Sequence, residues 1–243
     1  MTLRTSCAVI VTVLITALVG VMVNVSVAHA STVTFVTPTG STESGGHPVN
    51  ASATFTTNPG SVSVTLTNLQ ANPTDVSQTL GAVLFMFSTF QSSGTLTSSS
   101  TTPITVASNG TFTLGSSGST GWVVFSPLGG LELAVSGTSM AIIGPPGVGG
   151  TYSNANSTIA GNGTNNPFSD LSATFTIANA TLTAASTITV MEFVFGATQV
   201  PVNHVVGVPV PSNVPIPAAL PLFATGLGAL GLLGWRRKRK AAA

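Results

Sequence analysis

Two neighbouring stretches, Ala51-Ser-Ala-Thr-Phe-Thr-Thr57 and Ser61-Val-Ser-Val-Thr-Leu-Thr67, alternate apolar and hydroxylic side chains with a period of two. A strand sends successive side chains to opposite faces, so this alternation commits both to a sheet with one buried and one wetted face. Ala53 and Phe55 face inward, as do Val62, Val64 and Leu66, with a three-residue connection at Asn58-Pro59-Gly60. Short β-branched or aromatic runs between turn residues predict further strands at 32–37, 81–88, 95–97, 103–108, 111–114, 121–126, 131–135, 140–143, 171–177 and 186–196. The run 81–88 is apolar on both faces and reads as a central strand. Asn109-Gly110 predicts a type I′ hairpin turn. A helical turn is expected within 76–80, and Pro145 and Pro146 end the strand before them. About ten strands at these spacings predict an all-β fold, a jelly-roll-like β-sandwich over 31–200. A long Asn/Gly/Ser loop covers 151–170, and a Pro-rich linker occupies 201–217.

Charge narrows the function classes. No lysine or arginine lies between Arg4 and Arg236, while Glu43, Asp75, Glu132, Asp170 and Glu192 are all in that interval, so residues 31–213 carry a formal charge of 0 − 5 = −5 with histidines neutral. Without clustered cations there is no phosphate-binding surface, and nucleic acid is excluded as a partner. Serine and threonine supply 58 of those 183 residues, so solubility rests on hydroxyls. The unbroken hydroxyl run at 98–102 is a candidate for O-glycosylation. Edge strands without lysine lack one common guard against pairing with other chains, which makes self-association through strand edges an expectation.

The two ends carry addressing signals. Arg4, an apolar run over 8–23 and Ala28-His29-Ala30 together form a secretory signal peptide over 1–30, cleaved after Ala30. Cys7 leaves with it, which excludes disulfides, thiolate catalysis and cysteine metal sites from the mature chain. At the other end, Val214-Pro215-Ile216-Pro217-Ala218 leads into an uncharged apolar run, read as a membrane helix over 218–235. Trp235 suits the headgroup level, and Arg236, Arg237, Lys238, Arg239 and Lys240 form a cationic stop for a cytoplasmic tail over 236–243.

That three-part order, Pro-x-Pro motif, apolar helix and basic end, resembles the PEP-CTERM sorting signal in its VPLPA-type variant. Ile216 stands where the commonest form has glutamate. The resemblance covers about 30 of the 243 residues and implies an exported protein. Such a protein is held transiently in the inner membrane, recognised by an exosortase-type sorting protease, and delivered to the cell surface or extracellular matrix, with exopolysaccharide as a partner. The body also resembles a domain type found ahead of such tails, around 61–78 and Thr151-Tyr-Ser-Asn-Ala-Asn156. An ordinary C-terminal membrane anchor is the other reading of the tail.

Residues with chemistry are few. The leading expectation is a structural surface or matrix protein with no catalytic activity and no cofactor. Its rival is a carbohydrate-binding or carbohydrate-active protein using Glu132, Asp170 or Glu192. Glu132 and Glu192 both fall in predicted strands, where they either approach each other as a glycosidase pair does or each face solvent. His47 and His204 lie in a loop and the linker, with no serine nucleophile placed beside them, and no G-x-S-x-G elbow occurs. The glycine-rich 144–150 lacks the lysine of a phosphate loop and reads as a turn. Asn154, Asn156, Asn162, Asn165, Asn166 and Asp170 offer oxygens to calcium with a single carboxylate among them, which is weak provision. Trp122 and Tyr152 are candidates either for sugar contact or for core packing.

Overall fold

A computed structural model describes residues 30–91, 93–127, 129–161, 165–183, 185–197 and 203–211. Among them the chain is all-β, with thirteen strands and one 3-10 turn at Val76–Gln78. In chain order the strands are β1 Ser31–Val36, β2 Ala51–Asn58, β3 Ser61–Asn68, β4 Leu80–Phe87, β5 Thr95–Val106, β6 Phe112–Leu114 and β7 Val123–Phe125. They continue as β8 Leu131–Ala134, β9 Ile142–Ile143, β10 Phe168–Ala178, β11 Ile188–Phe195, β12 His204–Val206 and β13 Val208–Pro209. No helix among the described residues is long and apolar enough to cross a membrane.

All thirteen strands belong to one hydrogen-bonded sheet, in the order β12-β11-β4-β9-β10-β3-β2-β1-β13, with β5 and β6 branching from β10 and with β8 and β7 branching from β4. The two-residue β9 joins the halves, parallel to β10 and antiparallel to β4. Alternation places the core as expected: Ala53, Phe55, Val62, Val64 and Leu66 are all buried. Across the interior the Phe55 ring of β2 meets Phe85 of β4 at 5.0 Å, and Trp122 meets Phe175 at 5.0 Å. β4 is central, paired on both sides, with Val83, Phe85 and Phe87 buried. Burying a side chain the size of Phe55 contributes about 1.5–3 kcal/mol.

Several local expectations are corrected. The connection between β2 and β3 has two residues, since Asn58 pairs with Ser61. Pro59 followed by Gly60 at φ +79° is the order of a type II turn. The Asn109-Gly110 turn is not type I′, which needs positive φ at both central residues. Only Gly110 has it (φ +81°), and Ala107 N–H donates to Thr111 O across a three-residue loop. A side chain on Gly110 would also strike the Tyr152 carbonyl.

The two expected segments 95–97 and 103–108 are one twelve-residue strand, β5, running through the serine run and Pro103. Pro103 cannot donate to the ladder. The partner strand bulges there, between Ser169 and Ala173, with Leu171 held at φ +58°. β10 accordingly starts at Phe168, inside the segment expected to be loop.

The largest difference concerns the linker. Residues expected to lead away from the domain instead complete it. β12 pairs with β11 and β13 pairs with β1, so the first and last described strands are neighbours. Strand pairing therefore continues past residue 200, as far as Pro209. Pro209 is tolerated because Val210 N–H supplies the bond to Thr34 O, which leaves position 209 at a site where no N–H is required.

Candidate functional site

The two halves of the sheet present different outer faces. On β1, β2, β3, β10 and β5 most outward positions are hydroxyls, set in straight rows. One row runs Thr34, Thr54, Thr65, Thr174, Ser100 and the next Thr32, Thr56, Ser63, Thr176, Ser98. Lateral bonds link neighbours, with Thr34 Oγ1 2.9 Å from Thr54 Oγ1 and Thr32 Oγ1 3.2 Å from Thr56 Oγ1.

The other outer face holds two of the carboxylates, Glu132 and Glu192. In β8 Glu132 sits between buried Leu131 and Leu133, and in β11 Glu192 sits between buried Met191 and Phe193, so both acids point outward. Both are opposite Leu84 of β4, one from each side. The register extends this to a single row, Phe125, Glu132, Leu84, Glu192, Val206. Two strand spacings put the Glu132 and Glu192 Cα atoms roughly 10 Å apart. Phe125 is 40% and Val206 59% exposed. His204 Nδ1 lies 2.9 Å from Glu192 Oε2, while Glu132 has no cationic partner among the described residues. The row offers hydrogen-bond acceptors interleaved with apolar patches, a surface suited to a ligand with hydroxyl donors and apolar faces.

Asp170 is not part of this row. It pairs in register with Ile143 on the parallel edge of β10, beside the bulge, and burial raises its pKa above the ordinary carboxylate value. Glu43 is buried and serves its own loop, accepting from Gly45 N–H (2.7 Å) and His47 N–H (2.9 Å), with His47 Nδ1 at 2.6 Å. Burial alone would raise the Glu43 pKa, but these backbone and side-chain bonds outweigh it and lower the pKa. Asp75 follows the same logic. It caps the 3-10 turn through Ser77 N–H and accepts from Thr158 Oγ1, and its pKa is lowered despite desolvation. Both are fastening points of loops rather than reacting groups.

The remaining candidates are accounted for by packing. Trp122 is buried, donating Nε1–H to Met140 O at 2.8 Å, and buried Tyr152 donates to Gly144 O at 2.9 Å. Burial, and then the Asp170 charge, raise the Tyr152 pKa. The 144–150 segment is a turn, as expected, with Gly144 packed against the Gln70 carbonyl.

Of the calcium candidates, Asn166 spends its amide on Val106 and Asn154 donates to Thr74 O, while Asn162 lies outside the described residues. No group of three or more His, Cys, Asp or Glu suited to a metal ion occurs among the described residues. A hollow of about 230 Å³ bordered by Thr37, Ser41, Pro48, Asn50 and Gln70 contains no titratable side chain. The sorting motif Val214–Ala218, the stop at Trp235 and Arg236–Lys240, and Ala28 of the cleavage pattern lie outside the described residues, whereas Ala30 directly precedes β1.

Leu84, Phe125 and Val206 were not singled out from the sequence. The outward direction of Glu132 and Glu192 was legible from their inward flanks, but their common neighbour on β4 follows from long-range strand order alone. No family model, curated protein or solved structure matches this chain.

Proposed function

We propose that this chain is an exported, non-catalytic structural protein of the cell surface or extracellular matrix. The observation that carries the proposal is the C-terminal order of Pro215-Ile216-Pro217, an uncharged apolar run and the cations Arg236 to Lys240. In this reading residues 1–30 are removed on export and the segment 218–235 spans the inner membrane transiently. An exosortase-type protease then acts near Val214–Ala218, with exopolysaccharide as the surrounding partner. The body is a β-sandwich whose halves face each other through Phe55, Phe85, Trp122 and Phe175, with strand order of a jelly-roll-like kind. Edges open to pairing with another copy include β6, β7, β12 and β13, each paired on one side only. Mass spectrometry of protein recovered outside the cell tests the address. Peptides ending near residue 218 support it, and peptides running intact through Trp235 overturn it.

A second reading is favoured by the Phe125–Glu132–Leu84–Glu192–Val206 row, which suits saccharide binding or hydrolysis. Polysaccharide retention or turnover that is lost in Glu132→Gln or Glu192→Gln, with the fold intact by circular dichroism, would establish it. Retention unaffected by either variant would leave the structural reading.

A further inference from the structure

The stretch 204–210 is a strap that changes partner midway. Its first half pairs with β11 (Val194 with His204, Phe193 with Val205, Glu192 with Val206), and its second half pairs with β1 (Val36 with Val208, Phe35 with Pro209). The crossing point is Gly207, whose N–H donates to Met191 O at 2.8 Å. A Cβ at Gly207 would lie 2.7 Å from Met191 Sδ, 3.2 Å from Phe193 Cε2 and 3.3 Å from Phe35 Cβ. Only a residue without a side chain lets the strap lie down across the seam there.

Attachment and consequence are unequal. Of residues 204–210 only Gly207 is buried, and the outward residues His204, Val206, Val208, Pro209 and Val210 are exposed. The strap itself therefore contributes little apolar burial. Beneath it, Met191, Phe193 and Phe35 are all at most 3% exposed. Lifting the strap uncovers those three core side chains and strips two strands, β1 and β11, of their outer hydrogen-bonding partner. Such a slot must be refilled, and the segment that fits it is already defined by the structure: the same seven residues of another copy.

We infer that 204–210 is an exchangeable strand, and that copies of this chain associate by laying the strap of one across the β1–β11 seam of the next. Exchange of an identical element recreates the native contacts and needs no new interface. The strap is joined to β11 by residues 196–203 and is the last of the described strands, so no described strand follows it that would have to be unthreaded. Of the other open edges, β6 and β7 have three residues each, too short to make a long ladder, and the unpaired flank of β5 over Thr95–Ser98 carries no buried side chain. No lysine or arginine occurs on the strap or on its two partner strands to discourage the pairing. This deepens the structural reading of the function by naming the partner, a second copy, and the surface that receives it.

The test uses two full-length chains in a Cys7→Ser background, one Val36→Cys and the other Val208→Cys, purified separately, mixed and oxidised gently. Positions 36 and 208 are directly opposed, within reach of a disulfide. A bond between the two variants therefore forms where the strap of one copy lies on β1 of the other. The expected result is a heterodimer whose yield climbs with protein concentration. It should exceed that of a control mixture of Val36→Cys with Val190→Cys (an exposed position not opposite 36) several-fold, and Gly207→Val should lower it. Yield no higher than the control, alongside ready internal closure of the double variant Val36→Cys/Val208→Cys, would overturn exchange. The readout is made on purified protein, so its failure leaves the proposed export and surface location standing, and the reverse holds equally.

Discussion

The hydroxyl face and the acid-and-apolar face cover the same core, yet they solve the problem of facing water differently. On β1, β2, β3, β10 and β5 most outward residues are Thr or Ser, and neighbouring hydroxyls bond one another laterally. On β7, β8, β4, β11 and β12 the outward positions include Phe125, Leu84, Met86, Val190 and Val206, relieved by Glu132, Glu192 and His204, while Ala82, Ala134 and Val194 on the same face are buried. The lesson is that two of the five carboxylates, Glu132 and Glu192, sit where outward hydroxyls are missing. A face of ordered hydroxyls is well hydrated and unselective, whereas exposed apolar area next to acceptors marks a surface with something to contact.

The sharpest way to break this comparison is to ask whether the faces are only coverings. Phe55→Ala should cost about 3–5 kcal/mol in urea unfolding, as expected for a fully buried ring. Its outward neighbour Thr54→Ala should cost under about 1 kcal/mol, the worth of one exposed hydroxyl contact. Comparable losses at the two positions would mean that the hydroxyl rows are structural in their own right.

A second prediction concerns the loop beside β4. Asp75→Ala removes the cap of the Val76–Gln78 turn and the bond from Thr158, and should cost about 0.5–2 kcal/mol. Because the folded-state pKa of Asp75 is lowered, its contribution is present above the unfolded value near 4 and is lost as pH falls through the folded value. The wild type and the variant should therefore converge in stability below about pH 4. Glu43 titrates with the same sign.

Asp170, at the border of the hydroxyl face, should behave oppositely. Its pKa is raised by burial, so ionisation opposes folding above the folded value, and the penalty vanishes below the unfolded one. Asp170→Asn should raise the melting temperature at pH 7 and lose that advantage in acid. An unchanged melting temperature at pH 7 would show that the carboxylate is better solvated than its position at the bulge implies.

The smallest effect is expected on the second face. Phe125→Thr with Val206→Thr should leave stability within about 0.5 kcal/mol while reducing binding of a hydrophobic dye to the native protein. Unchanged dye binding would show that the apolar positions of this row do not act as one surface.

Strand identity was legible wherever alternation was strict, as in β2 and β3, and the same alternation gave the inward residues. It failed where alternation lapsed or where a residue that usually breaks strands was carried through one. The hydroxyl run 98–102, where apolar alternation lapses, divided β5 into two expected strands, and the bulge that accommodates Pro103 lies on β10, far away in sequence. The prolines at 209 and 211 made the last strands read as linker for a similar reason. What rescues Pro209 is the register against β1, and register is invisible in a local pattern. The acid row needed the same non-local information, since Glu132 and Glu192 become neighbours only through Leu84.

The pairing of β1 with β13 also governs when the domain can finish folding. A chain synthesised from its N-terminus presents Ser31–Val36 first and Val208–Pro209 last among these strands. Until the final strand has emerged, β1 keeps a bare edge and Phe35 lacks its cover. Completion thus waits for the arrival of residue 209, and the step is slow because the closing contact joins strands far apart in sequence.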